Sequence, residues 1–180
     1  MSSHADSPAA PPSAGWSRRF PKDERIFLWL IALSVAAMTA FTIAWVAGFG
    51  NQNAPDNTFR TTPEEFRAQA GAFTTKYLGD DGKVHVPPGT DAYLMAERYG
   101  FTPNLVLEAG HTYRLLISST DVLHGFSIVG GHQNLNIEVV PEHVFRVTLK
   151  PEEPGTYLII CNEYCGLGHH KMRGEIVVEG

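Results

Sequence analysis

The chain has 180 residues, two cysteines and a formal net charge of −5 with histidine counted as neutral. This length allows one domain with appendages, and a mildly acidic chain lacks the concentrated basic face that nucleic-acid binding requires. No Ser-His-Asp or paired-carboxylate arrangement is evident, so the sequence shows no machinery for making or breaking bonds by itself.

A polar tail opens the chain. Residues 1 to about 15 are rich in Ser, Ala and Pro, a composition that predicts disorder because it offers little apolar surface to bury. A basic cluster follows, made of Arg18, Arg19, Lys22 and Arg25. We assign residues 1–25 to a disordered tail, and the basic cluster ahead of the next segment places that tail in the cytoplasm.

Residues 26–49 carry no charge and are almost entirely apolar. As a helix they would reach about 36 Å, which exceeds the roughly 30 Å hydrocarbon core of a bilayer. Trp29 and Trp45 stand near the two ends, where interfacial aromatic residues are common. A cleaved signal peptide fits poorly because the apolar run is too long. We predict one transmembrane helix in the cell (inner) membrane, with the following residues in the periplasm or outside the cell.

Residues 50–90 are predicted to form a linker with a short helix. Thr62 is a candidate helix cap, Pro63 suits the first helical position, and Glu65 completes a capping box, which together predict a helix that ends near residue 70. Turn residues follow at 80–83 and 87–89, where Gly, Pro and Asp favour tight reversals.

From residue 91 to the end, the pattern is that of an all-β domain. Short apolar or alternating stretches are separated by turn residues at regular intervals, which is typical of a Greek-key β-sandwich. The predicted strands cover residues 92–97, 104–108, 112–118, 125–129, 135–140, 144–150, 156–160 and 175–178.

The loop between the last two predicted strands contains both cysteines. Cys161 and Cys165 lie four residues apart, His169 follows four residues later, and Met172 three after that. Thiolate and thioether ligands together favour copper, because soft donors suit a soft metal. His124, upstream near the start of another predicted strand, could supply a further donor.

Two other interpretations of this loop remain open from the residues alone. Two cysteines outside the cytosol often form a disulfide, which requires Cα atoms within about 7 Å. A zinc site of two cysteines and two histidines is the other alternative, although zinc has little use for methionine and the short C-x-x-C knuckle is absent.

The loop Cys161-x-Glu163-x-Cys165-Gly166-x-x-His169-x-x-Met172 resembles the binuclear copper A loop of cytochrome c oxidase subunit II. The upstream segment from Asp121 to Phe126, which contains His124, also resembles that family. The likeness is strongest to B-type oxidases typified by the thermophilic bacterial enzyme. It covers residues 92–180 and the single membrane anchor, and it implies that residues 91–180 form a cupredoxin-like domain.

The resemblance implies a role for each ligand. Both cysteine sulfurs would bridge two copper ions; His124 and Met172 would complete one copper, and His169 and the Glu163 backbone carbonyl the other. The Glu163 side chain is a candidate to help hold a magnesium ion at the subunit interface. B-type relatives carry Gln at this position, which leaves that role open.

The implied function is the electron-accepting subunit of a haem-copper terminal oxidase. It would take electrons from cytochrome c and pass them to a haem in subunit I, where oxygen is reduced to water. Tyr99 and Phe101 occupy the region where the family takes up electrons, and we expect an apolar docking face with weak salt dependence. The alternatives are a nitric oxide reductase subunit, a stand-alone membrane-anchored cupredoxin carrying electrons or copper, and a structural domain closed by a disulfide.

Overall fold

A computed structural model of the chain describes residues 21–49, 55–131 and 133–180, with the backbone alone for residues 133 and 134. The predicted disordered segment at residues 1–15 lies outside these ranges. The described residues fall into two units, an N-terminal helix and a β domain, and each unit is described by itself.

The N-terminal unit is a single apolar helix. The α-helix α1 covers Lys22–Ala44 and continues as a π-helical stretch over Trp45–Phe49, which is kinked at Gly48, where φ is +112°. The 28 residues from Lys22 to Phe49 are long and apolar enough to cross a membrane. The helix starts at Lys22 rather than at residue 26, so the prediction of a tail up to residue 25 was wrong for its last residues. Asp23 and Glu24 lie in the first turn, where they favour helix initiation by compensating the helix dipole.

The second unit contains 11 strands in one continuous hydrogen-bonded sheet. Its strands are β1 (Asn57–Arg60), β2 (Val84–His85), β3 (Asp91–Glu97), β4 (Gly100–Thr102), β5 (Leu105–Glu108), β6 (Tyr113–Ser119), β7 (His124–Gly130), β8 (Gln133–Val139), β9 (His143–Leu149), β10 (Gly155–Ile160) and β11 (Arg173–Glu179). The order is β1-β9-β6-β3-β4-β11-β10-β7-β8, and β5 adds to β11 and β2.

The short strand β4 joins two halves of this sheet, and their inner faces form one core. Leu94, Leu115 and Ile117 come from the half that contains β3, β6 and β9, and Phe126 and Ile159 come from the half that contains β7, β10 and β11. All five side chains belong to a single buried cluster. The alternating burial along β3 and β11 follows from the two-residue period of a strand. The predicted all-β, cupredoxin-like architecture is therefore confirmed.

The helix α2 covers Pro63–Tyr77 and lies against the sheet. Its start is as predicted, because the Glu65 backbone N–H donates to the Thr62 hydroxyl at 3.1 Å. Its end is not, since the helix continues seven residues beyond residue 70. Phe66, Ala70 and Phe73 are buried, so packing stabilises turns that the local sequence left undecided.

Three short strands were not foreseen from the sequence. The strand β1 lies in the stretch predicted to be a polar linker and pairs antiparallel with β9, for example Asn57 with Arg146. All four β1 residues are exposed, so the strand has no alternating pattern to reveal it. The strands β2 and β4 are too short to show a pattern: β2 pairs with β5 further along the chain, and β4 lies between its sequence neighbour β3 and the distant strand β11.

The topology places the predicted ligands at one end of the sheet. The first residue of β7 is His124, and β7 pairs with β10, where Ile160 is the last residue. The loop from Cys161 to Met172 then connects β10 to its antiparallel neighbour β11. The start of β11 also pairs with Gly100 of β4. The end of β10, the starts of β7 and β11, and β4 therefore surround one loop.

Candidate metal centre

His124 is fully buried and has two different neighbours on its two ring nitrogens. Its Nε2 lies 2.7 Å from Asp121 Oδ1, and its Nδ1 lies 4.0 Å from Cys161 Sγ. When a carboxylate accepts a hydrogen bond from Nε2–H, the lone pair of the neutral ring lies on Nδ1. Ligand histidines are commonly oriented by such a hydrogen bond. The nitrogen facing the cysteine sulfurs is therefore the one suited to bind a metal.

Asp121 is itself held by two backbone donors. The Val122 N–H donates to Oδ1 at 2.7 Å, and the Arg98 N–H donates to Oδ2 at 3.0 Å. Burial acts to raise the pKa of Asp121, but the hydrogen bond to His124 and those from Val122 and Arg98 outweigh it, so this pKa lies below its ordinary value. The side chain is thus kept as an anion that can orient His124.

The two cysteines are buried, free and close together. Their sulfurs are 3.8 Å apart, well beyond the roughly 2.05 Å of a disulfide, so they are not bonded in this structure. Cys161 Sγ also lies 3.1 Å from the carbonyl oxygen of Glu163. Burial and the neighbouring Cys161 thiol raise the pKa of Cys165 to about 11. A metal must therefore displace a proton to bind this sulfur as thiolate.

A short 3₁₀ turn, His169–Lys171, supplies one of the two remaining ligands, and Met172, directly after the turn, is the other. His169 Nδ1 lies 3.8 Å from Cys165 Sγ, and Met172 Sδ lies 3.6 Å from the same sulfur. Met172 is buried, and its N–H donates to the His169 carbonyl at 3.0 Å. The turn therefore points an imidazole and a thioether at one thiol.

All six sequence-predicted ligand positions meet at this end of the domain. His124, Cys161 and Cys165 have ligand atoms within 4.8 Å of one another, and the atoms of Glu163, His169 and Met172 named above lie within 4 Å of a cysteine sulfur. Two thiols, two imidazoles, a thioether and a carbonyl form a donor set that suits copper better than zinc, because of the thioether. The residues present fit copper.

Close packing shapes the ligand loop. A Cβ placed on Gly125 would lie 1.9 Å from Asn162 Oδ1 and 2.7 Å from the Glu163 backbone nitrogen. Gly125 follows His124 directly, so its lack of a side chain lets the loop approach the start of β7. Gly166 has φ +128°, a conformation that glycine adopts most readily, and it turns the chain between Cys165 and His169.

The two candidate electron-uptake residues lie in different environments. Tyr99 is 42% exposed, and its ring lies against Gly166 and Gly168 of the ligand loop. Phe101 is only 2% exposed and packs edge-on against Phe126, with ring centroids 5.5 Å apart. Of the two, only Tyr99 offers a surface that another protein could contact.

Two residues near the centre were missed as site residues by the sequence interpretation. Asp121 orients His124, and its position three residues before that histidine was the one available signal. Arg98 donates from Nε to the Cys165 carbonyl at 3.0 Å, across 67 residues of sequence. Nothing in the local pattern around Arg98 indicated this contact.

Comparison with known proteins shows the family to which the chain is similar. The family model for the periplasmic domain of cytochrome c oxidase subunit II matches residues 95–180. A cytochrome c oxidase subunit 2 of Thermus thermophilus is 36% identical over 155 residues, which cover 86% of this chain and 83% of that protein. A second subunit 2 from the same species is 44% identical over 88 residues, 48% of this chain and 64% of that protein.

Solved structures show the same fold. A chain of a heme-copper terminal oxidase dimer aligns over 88% of this chain and 100% of that chain, with a TM-score of 0.56 and 22% identity. A Met148Leu variant of rusticyanin aligns over 72% of this chain and 100% of that chain, with a TM-score of 0.51 and 20% identity. These structural similarities show the fold alone. The sequence similarity shows that the chain belongs to the cytochrome c oxidase subunit II family.

Proposed function

We propose that this subunit holds a binuclear copper A centre and relays single electrons from cytochrome c to the haem of subunit I, where oxygen is reduced to water. The observation that carries the proposal is the cluster of six donors, two of which are cysteine sulfurs 3.8 Å apart. A single copper bound by one cysteine would leave the second buried thiol of the site without a metal ion. A pair of thiolates shared by two ions uses every donor.

The residues divide into two ligand groups about the shared sulfurs. His124 and Met172 would complete the ligands of one copper, and His169 and the Glu163 carbonyl would complete those of the other. When bound, copper supplies a site that gains and loses one electron. The methionine and the carbonyl would be weak ligands that tune its potential. The burial of both cysteines excludes water from the sulfurs, and Asp121 fixes the orientation of the His124 ring.

The loop surface supports electron uptake from a protein donor. Leu167 is 89% exposed and Tyr164 is 71% exposed, and both belong to the ligand loop. The Tyr164 ring lies 6.0 Å from the His169 ring, centroid to centroid. The ring of Tyr99 lies against Gly166 and Gly168 of the same loop, and we assign these three side chains to an apolar docking face for cytochrome c. Exposed apolar groups that cluster over a functional site are typical of protein contact surfaces.

The helix α1 anchors the chain, because it is long and apolar enough to cross a membrane and the chain belongs to a membrane oxidase family. We place the N-terminus in the cytoplasm, because basic residues lie just before the helix and in its first turns. The copper domain then lies in the periplasm or outside the cell, where cytochrome c can reach it. The Glu163 side chain is exposed, and we assign it to the interface with subunit I, where it would help hold a magnesium ion.

Metal analysis of the full chain tests the proposal. The copper-loaded protein should contain two copper ions per chain, be purple, and give the hyperfine pattern of an electron shared by two copper nuclei. Cys161→Ser should abolish the purple colour and the hyperfine pattern. His143→Gln, which changes an imidazole held by the Pro141 carbonyl, should keep both. A blue protein with one copper per chain would instead identify a mononuclear cupredoxin.

A further inference from the structure

Arg98 contacts the metal centre at two places without being a predicted ligand. Its backbone N–H donates to Asp121 Oδ2 at 3.0 Å, and its side-chain Nε donates to the Cys165 carbonyl at 3.0 Å. The same Nε lies 3.8 Å from Asp121 Oδ2. One residue therefore touches both the carboxylate that orients His124 and the main chain of a cysteine ligand.

These contacts form a continuous path through the site. It runs from the Cys165 carbonyl to Arg98, from Arg98 to Asp121, and from Asp121 Oδ1 to His124 Nε2 at 2.7 Å. Cys165 lies in the loop between β10 and β11, Arg98 between β3 and β4, and His124 at the start of β7. The path thus connects three separate segments of the sheet at the ligands.

The Arg98 guanidinium also brings a positive charge next to Asp121. An exposed arginine that pairs only with a carboxylate contributes little, because solvent screens both charges. Arg98 differs because it also donates to a backbone carbonyl at a ligand position, and a hydrogen bond from a charged donor is stronger than a neutral one. Such partners around metal ligands set their orientation and their electronic properties.

We propose that Arg98 is a positioning residue of the copper centre: it fastens the Cys165 end of the ligand loop to the Asp121–His124 pair, and its charge favours the reduced state of the centre. The second part rests on the proposed function, since it requires a bound redox metal; the first does not. Reduction adds a negative charge, and a nearby cation stabilises that added charge. Without the guanidinium, Asp121 would keep its hydrogen bonds from His124 and the backbone but would have lost the nearest positive charge.

The copper-free protein tests the fastening role alone. In the reduced, metal-free full chain, the cysteines should react with an aromatic disulfide reagent roughly three- to tenfold faster in Arg98→Met than in the wild type. The reason is that the ligand loop loses a charge-assisted hydrogen bond and exposes its thiols more often. Arg114→Met is the matched control: Arg114 pairs with Asp91 at the opposite end of β3, and its thiol reactivity should equal that of the wild type. An unchanged rate in Arg98→Met would overturn the fastening role.

The copper-loaded protein tests the charge. A redox titration followed by the visible absorption of the centre should give a lower midpoint potential for Arg98→Met than for the wild type or Arg114→Met. Arg98→Lys keeps the charge but not the planar guanidinium, so it should restore most of the potential. Arg98→Gln, which also removes the charge, takes the place of Arg98→Met if that variant does not fold. Equal potentials in all four proteins would overturn the electrostatic role.

The two arms separate this inference from the function on which it rests. If the wild type binds no copper, the binuclear proposal fails, and the thiol kinetics still decide whether Arg98 fastens the loop. If copper binds as proposed and the Arg98 variants match the wild type in both measurements, Arg98 is a surface residue and the proposal for it is wrong.

Discussion

The Tyr99 ring occupies the space that a side chain on Gly168 would need. A Cβ built on Gly168 would lie 2.4 Å from Tyr99 Cδ2 and 2.6 Å from Cγ. Both distances are much shorter than a normal contact between two non-bonded carbon atoms. Gly168 has a φ of −90°, so the requirement for glycine here comes from packing and not from backbone conformation. A half-exposed aromatic residue after β3 thus rests directly on the chain between Cys165 and His169.

Gly168→Ala should destabilise the folded protein by about 1–3 kcal/mol, the usual cost of forcing extra volume into a packed site. It should also alter the visible spectrum of the copper-loaded protein, because the displaced loop carries His169. Thermal unfolding and absorption spectroscopy of the full chain measure both effects.

The double variant Gly168→Ala with Tyr99→Ala should recover part of the lost stability, since the clashing ring is removed. Gly71→Ala is the matched control: it lies within α2 with no atom near its Cβ position, so it should be neutral or stabilise by about 0.5–1 kcal/mol. Equal destabilisation by both single alanine variants would refute the packing explanation.

Asp121→Ala should weaken copper binding about 10- to 100-fold, the typical effect of removing the hydrogen-bond partner of a ligand histidine. Without the carboxylate 2.7 Å from Nε2, the His124 ring loses both its orientation and the preference for a lone pair on Nδ1. Competition with a chromophoric Cu(I) chelator measures the affinity.

Asp91→Ala provides the comparison for that measurement, because Asp91 pairs with Arg114 at the far end of β3. Its copper affinity should match that of the wild type. If Asp121→Ala also matches, the Asp121–His124 hydrogen bond does not orient the ligand.

Copper removal should lower the unfolding temperature, because a ligand that binds only the folded state stabilises it by an amount that grows with its concentration over Kd, about 2.7 kcal/mol at a hundredfold excess. Differential scanning calorimetry of the loaded and chelator-treated full chain measures the difference. In Cys165→Ser, added copper should raise the unfolding temperature far less, and an equal rise would place the stabilising copper elsewhere.

Leu167→Ala should raise the KM for cytochrome c about three- to tenfold in the assembled oxidase, because this side chain lies exposed on the ligand loop and its burial against a partner would remove apolar surface from water. Leu78→Ala, which removes an exposed leucine just beyond α2, should leave KM unchanged.

The same assay at increasing ionic strength should show only a weak loss of activity, because the proposed docking face is apolar and salt screens charge–charge attraction alone. A steep fall with added salt would show that charged residues elsewhere guide cytochrome c to the subunit.

The sequence by itself predicted those features that depend only on residues close together in the chain. The uncharged run of residues 26–49 is long enough to span a bilayer, and the spacing of Cys161, Cys165, His169 and Met172 lies within one loop. The start of α2 was also readable, because Thr62 and Glu65 are neighbours along the chain and form the cap themselves.

Tertiary structure decided whatever depends on partners that are distant in sequence. The exposed strand β1 exists because β9 offers it hydrogen bonds, and α2 continues past residue 70 because Phe73 is buried in the core. Arg98 reaches the Cys165 carbonyl only after β3, β4 and β11 have paired. The sequence by itself thus determined which metal-binding side chains the protein has and which of them share one loop. Strand pairing decided that His124 and Arg98, which are distant in sequence, lie beside that loop.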